Sequence, residues 1–161
     1  MAVSFWSSSA TTASTRLVDC FALLRRAADV PAQEIVRLVD AVALSFLVGN
    51  HDAHGKNHSL LYLPSSPGAL LAPAYDVLST IAYDKVRARQ LDRMLDEAGL
   101  GVAVARRRLR GLATAAPIAV RAAHAELATE GWDAPVLARI VMVVEQRAKR
   151  LERIAAVGMK R

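Results

Sequence analysis

Asp52, Asn57 and Asp76 are the residues whose types and spacing in this chain best suit chemistry. Asp52 and Asn57 lie in the polar run Gly49-Asn50-His51-Asp52-Ala53-His54-Gly55-Lys56-Asn57, and Asp76 closes the run Pro73-Ala74-Tyr75-Asp76. A carboxylate, an amide five residues on and a second carboxylate beyond a hairpin make a set for phosphoryl transfer. The first takes or orients a hydroxyl proton, and the other two offer oxygen to magnesium. Such a site does little covalent work; it positions the reactants and neutralises phosphate charge.

The flanking sequence supplies the elements that would hold these groups. Ser14 or Thr15 is placed to cap a helix running to about Ala28, with Leu17, Phe21 and Leu24 on one face. Pro31 opens a second helix, with Glu34 near its positive end and Ile35, Leu38, Val39, Val42, Phe46 and Leu47 at helical spacing. Gly49 stops it, which puts the polar run directly at its C-terminus. Ser59 to Leu63 and Ala69 to Ala72 read as strands around the turn Pro64-Ser65-Ser66-Pro67-Gly68. From Lys85 the pattern is helical, over about 85–98, 102–114, 117–129 and 134–156, with Pro117 and Pro135 as punctuation. The fold class expected is mainly α: a helical lobe with one small hairpin beside a loop that carries the chemistry.

In the catalytic loop of protein kinases Asp and Asn also stand five positions apart, and the second metal-binding Asp follows a hairpin. The runs Gly49 to Leu61 and Leu71 to Tyr83 resemble, in order and spacing, the HipA family of toxin–antitoxin serine/threonine kinases. The two motifs cover about 35 residues, and a weaker helical likeness extends over 15–161. The resemblance implies the larger, C-terminal lobe of a kinase-like fold that transfers the γ-phosphate of ATP to a protein Ser or Thr. It implies Asp52 as catalytic base, with His54 and Lys56 supporting loop geometry or phosphate charge. Asn57 and Asp76 would hold Mg2+ and, through it, the nucleotide. Tyr75 would pack beneath the loop, and Ser79, Thr80 and Tyr83 match the segment after the metal-binding Asp. The partners implied are a HipB-like antitoxin, operator DNA reached through it, and a substrate in the translation machinery such as an aminoacyl-tRNA synthetase.

Gly49-Asn50-His51-Asp52 also fits the GNHD signature of metallophosphoesterases, with His51, His54 and His58 as further imidazoles. Its context argues against that chemistry. Residues 1–48 contain no histidine and no glycine for the earlier motifs, and the last histidine, His124, stands among alanines on a helical pattern.

The chain departs from the HipA pattern in three places. Its first glycine is Gly49 and its first lysine Lys56, so it supplies neither a Gly-rich phosphate loop nor a lysine on an earlier strand. Helical pattern resumes at Lys85, where the family has a Gly-rich segment, and His58 stands where the family is apolar. Three expectations follow: a truncated gene product, a larger lobe that pairs with a separately encoded smaller lobe, or a non-catalytic module that binds an antitoxin, such a lobe or nucleic acid. In each, the chain alone transfers no useful phosphate.

Composition agrees with one helical domain. Of 161 residues 53% are apolar and 5% aromatic, and no apolar run is long enough for a membrane span. Residues 1–14 lack a basic region and an apolar core, and read as a disordered or non-native leader rather than a signal peptide. With the single cysteine, Cys20, on an apolar helical face, a cytoplasmic protein with a buried thiol is expected. Charge is uneven: net −2 over residues 1–84 and +8 over 85–161. Arg106, Arg107, Arg108 and Arg110 form one basic cluster, and Arg147, Lys149, Arg150 and Arg153 a second. These read as solvated faces of amphipathic helices, or as a nucleic-acid surface.

Overall fold

The computed structural model describes residues 2–4, 16–50, 57–81, 91–132 and 134–157. The chain is mainly α, with a small antiparallel sheet, as its composition and periodicity imply. Its elements in order are β1 (Ala2–Ser4), α1 (Leu17–Ala27), α2 (Pro31–Val48), β2 (Ser59–Tyr62), β3 (Ala69–Leu71), α3 (Leu91–Ala98), α4 (Val102–Thr129) and α5 (Pro135–Val157).

Helix α1 buries Cys20, Phe21 and Leu24 on the face their spacing selects. Its cap is Arg16, whose backbone N–H donates to Asp19 Oδ2 at 3.2 Å, while Ser14 and Thr15 lie outside the described residues. Helix α2 starts on Pro31 and ends on Gly49, which takes the left-handed conformation at φ 80°. Ile35, Leu38, Val39, Ala43 and Leu47 of α2 pack with α1 and with Leu60, Ala69 and Leu71 of the sheet. Glu34 does not stay at the surface beside the helix N-terminus. It is 2% exposed and accepts the Leu71 N–H at 2.8 Å, which fixes β3 against α2.

The sheet has the order β1–β2–β3, both pairs antiparallel, with Leu60 opposite Leu71 and Val3 opposite Leu60. The β2–β3 hairpin matches the pattern in the sequence. Residues 2–4 differ, since they form a strand within the segment read as a leader; three backbone pairings on β2 outweigh the weak local signal. At the hairpin turn, a Cβ on Gly68 would fall 2.5 Å from the Asp29 backbone N, so only glycine lets the turn lie on the α1–α2 connection.

Residues 82–90 lie outside the described residues, so the start expected for the next helix at Lys85 does too. Arg25 of α1 donates to the carbonyls of Glu97 and Ala98 at 3.0 and 2.8 Å and so caps the end of α3.

The largest departure from expectation is α4. It runs unbroken through Pro117, where the sequence predicts two helices. An interior proline costs a helix about 3 kcal/mol. Antiparallel packing of α5 along α4 offsets it, aided by the Arg121–Glu145 ion pair at 2.5 Å between them. The first half of α4 buries Ala105, Leu109 and Ala113, and α5 from its tenth residue onward buries Val144, Ala148, Leu151 and Ala155. Beyond Ala113 and before Val144 no described residue is fully buried, so the two helices extend past the core as a hairpin. No helix among the described residues is long and apolar enough to cross a membrane.

Candidate functional site

The C-terminus of α2 is where both polar motifs meet. Gly49 turns the chain, and its carbonyl oxygen accepts from the Thr80 N–H at 3.1 Å and from Thr80 Oγ1 at 3.0 Å. Asn50 follows, and its Nδ2 donates to the backbone carbonyl of Asp76 at 3.1 Å. Residues 72–80 are therefore held at three points. The Ala72 N–H donates to Ser59 O at 2.8 Å as the sheet ends, Asn50 grips Asp76, and Gly49 receives Thr80.

Asp76 sits at φ 55°, the only positive φ of a non-glycine residue among the described residues. A short polar side chain tolerates that conformation at modest cost, and the hydrogen bond from Asn50 to its carbonyl holds it there. The effect is to turn the Asp76 carboxylate toward Asn57. Asn57 is 7% exposed, and its Nδ2 donates to Asp76 Oδ2 at 2.5 Å. The two proposed magnesium ligands are thus side by side, although 19 residues separate them. Carboxylate and amide oxygens are the donors a hard cation such as Mg2+ selects. Asn57 and Asp76 fit that ion as a partial ligand set, which water and phosphate would complete. Among the described residues no group of three or more His, Cys, Asp or Glu gathers around a common point.

Asp52, His54 and Lys56 lie outside the described residues, as does His51. Tyr75 is exposed, with its hydroxyl 2.8 Å from Ser59 Oγ, and Pro73 and Ala74 are exposed too. The loop beneath which Tyr75 was expected to pack lies outside the described residues. Thr80 makes the turn hydrogen bonds its type suggests, Ser79 Oγ is buried without a hydrogen-bond partner, and Tyr83 lies outside the described residues.

Asn50 is the site residue that motif reasoning left without a role. Its signal was its place directly after the helix-ending glycine, where an amide side chain can reach a neighbouring strand's backbone. The basic clusters also divide differently from the sequence reading. Arg108 is bound to Asp40 of α2, its Nε 3.1 Å from Oδ1, and that carboxylate holds the guanidinium charged still more firmly. Arg106 is half-buried, and Arg147 is 8% exposed. Arg107, Arg110, Lys149, Arg150 and Arg153 remain exposed.

The family model for the HipA-like C-terminal domain matches residues 4–149. The chain belongs to this family. Among solved structures, the Shewanella oneidensis MR-1 toxin–antitoxin complex of HipA, HipB and operator DNA contains a similar fold, with a TM-score of 0.69 and 22% identity. The match covers 90% of this chain and 38% of that one. Two Sinorhizobium fredii (strain NBRC 101917 / NGR234) proteins are similar in sequence. The protein named "Putative kinase Y4mE" is 39% identical over 111 residues, which is 58% of this chain and 26% of that protein. The protein named "Putative kinase Y4dM" is 44% identical over 50 residues, 31% of this chain and 12% of that protein. The HipA-like chain described here thus spans about a quarter of the length of the first of these relatives.

Proposed function

We propose that this HipA-like domain is the metal-binding lobe of a serine/threonine protein kinase of toxin–antitoxin type, and that it does not transfer phosphate by itself. The observation that supports this reading is the Asn57–Asp76 pair, brought side by side where Asn50 and Gly49 hold the Asp76 segment. Asp52 would take the proton from the substrate hydroxyl as phosphate is transferred. His54 and Lys56 would keep the loop in shape and offset phosphate charge, and Asn57 and Asp76 would orient bound Mg2+. Held there, the ion would neutralise charge on the transferring phosphate of ATP. The sequence has no glycine before Gly49 and no lysine before Lys56, so it does not itself supply the loop and lysine that clamp ATP phosphates. Loss of such donors lowers rate by on the order of 10²–10⁴.

Labelled ATP and Mg2+ test both halves. The purified chain is expected to give no transfer above an Asp52→Ala control, while binding one divalent ion. Robust transfer that Asp52→Ala abolishes would refute inactivity alone. Failure of the wild-type chain to bind Mg2+ or Mn2+ at millimolar concentration would remove the kinase-lobe reading.

A second reading is an interaction module for an antitoxin, a separate smaller lobe or nucleic acid. It is favoured by the exposed Arg107, Arg110, Lys149, Arg150 and Arg153, and by the occurrence of a similar fold in a complex with HipB and operator DNA. An electrophoretic shift of duplex DNA that weakens steeply with salt supports direct contact, and no shift at low salt excludes it.

A further inference from the structure

Arg147 stands apart from the basic cluster in which its sequence places it. It lies on the inner face of α5, between the buried residues Val144 and Leu151, and is itself 8% exposed. Its Nη1 donates to the Phe46 carbonyl at 2.5 Å, and its guanidinium carbon lies 5.4 Å from the Phe46 ring centre. The same Nη1 is 3.1 Å from where a Cβ on Gly49 would stand, so the guanidinium closes against the turn that starts the polar motif. Nη2 is buried without a hydrogen-bond partner, and no carboxylate forms an ion pair with Arg147 among the described residues. Burial, and then the neighbouring Arg150, make its charged form less favourable than an ordinary arginine's.

A buried cation whose one partner among the described residues is a carbonyl is costly to keep. Among the described residues, what it hydrogen-bonds is the last turn of α2. The carbonyls at a helix C-terminus carry partial negative charge and lack intrahelical donors, so a guanidinium beside them is favourable. Phe46 and Gly49 flank Leu47 and Val48, and directly beyond Gly49 stands Asn50, which grips Asp76.

We propose that Arg147 is a positioning residue for the phosphoryl-transfer site: it clamps the end of α2 through Phe46 and Gly49 and so fixes the turn from which Asn50 grips Asp76. The proposal rests on the reading of Asn57 and Asp76 as metal ligands only for its effect on metal binding. The clamp itself is a property of the fold. Glycine at position 49 fits this arrangement twice, because it permits φ 80° and because a side chain there would strike both Ile81 and the guanidinium.

Hydrogen–deuterium exchange of the full chain tests it with Arg147→Met and Arg147→Lys. Peptides covering residues 45–58 are expected to exchange about tenfold faster in R147M and about threefold faster in R147K, the scale of losing one charge-assisted hydrogen bond. Peptides from α1, α4 and residues 135–143 of α5 should keep wild-type rates. Should R147M fail to fold, R147K alone decides. Wild-type exchange over 45–58 in a folded variant, or acceleration spread evenly through the helices, overturns the proposal. Mn2+ affinity, followed by electron paramagnetic resonance, should fall in the same order. A wild-type chain that takes up no Mn2+ removes the metal reading of Asn57 and Asp76, and the exchange result still decides the role of Arg147.

Discussion

Asn57 donates its side-chain amide to the Asp76 carboxylate at 2.5 Å, across 19 residues of chain and a complete hairpin. That bond joins the two motifs, and its geometry comes from backbone: the helix-ending turn at Gly49, the grip of Asn50 on Asp76 and the left-handed Asp76 itself.

Asp76→Asn keeps a residue that tolerates φ 55° and removes the charge a cation needs. The expected result is an unchanged unfolding midpoint and a Mn2+ dissociation constant raised at least about tenfold, about 1.4 kcal/mol. Calorimetric titration of both proteins measures it. Equal affinities would place any metal elsewhere.

Glu34 is the buried acceptor for the Leu71 N–H, and its exposed neighbour Arg37 reaches it only at 3.4 Å. Glu34→Ala strands that amide and should cost about 1–3 kcal/mol in urea unfolding. Glu34→Gln keeps an acceptor oxygen and should lose well under half as much. A neutral Ala variant would show that β3 is held by packing alone.

Pro117 interrupts the hydrogen bonding of α4 in its projecting half. Pro117→Ala restores a donor and should raise stability by about 1–3 kcal/mol, seen as a higher thermal midpoint. A lower midpoint would mean that the proline ring's packing against α5 outweighs the missing bond.

Burial pushes the Cys20 thiol up from 9.0 to about 11. Between those two values the unfolded chain has released a proton that the native chain retains. The contribution to stability is therefore full below about pH 9 and is lost as pH rises through about 11, by roughly 2–3 kcal/mol in all. Cys20→Ala should flatten that part of the stability profile, as measured by unfolding at pH 8 to about 11. Native wild type should also resist thiol reagents at pH 8 until unfolded.

Local rules made much of this fold legible. Pro31 and Gly49 bracket α2, the hairpin follows its turn residues, and the apolar face read for α1 is the one that packs into the core. Type and spacing singled out Asn57 and Asp76, and the fold brings their side chains together. What sequence reasoning missed was set by contacts distant in the chain. Glu34 reads as a helix-terminus charge until β3 arrives to need an acceptor. Pro117 reads as a break until α5 lies alongside. Arg147 reads as one of four surface cations, because nothing within its own helix shows that Phe46 and Gly49 will cover it.

The reach of Arg147 also sets an order of assembly. Asn57 and Asp76 meet across 19 residues, whereas Arg147 meets Phe46 across 101. Short loops close at small entropic cost and long ones later. On a ribosome, Asn57 and Asp76 can pair soon after the hairpin emerges, but the helix end beside them stays unclamped until α5 has been made and docks. A nascent chain halted before α5 would carry the pair without the support that holds its turn in place.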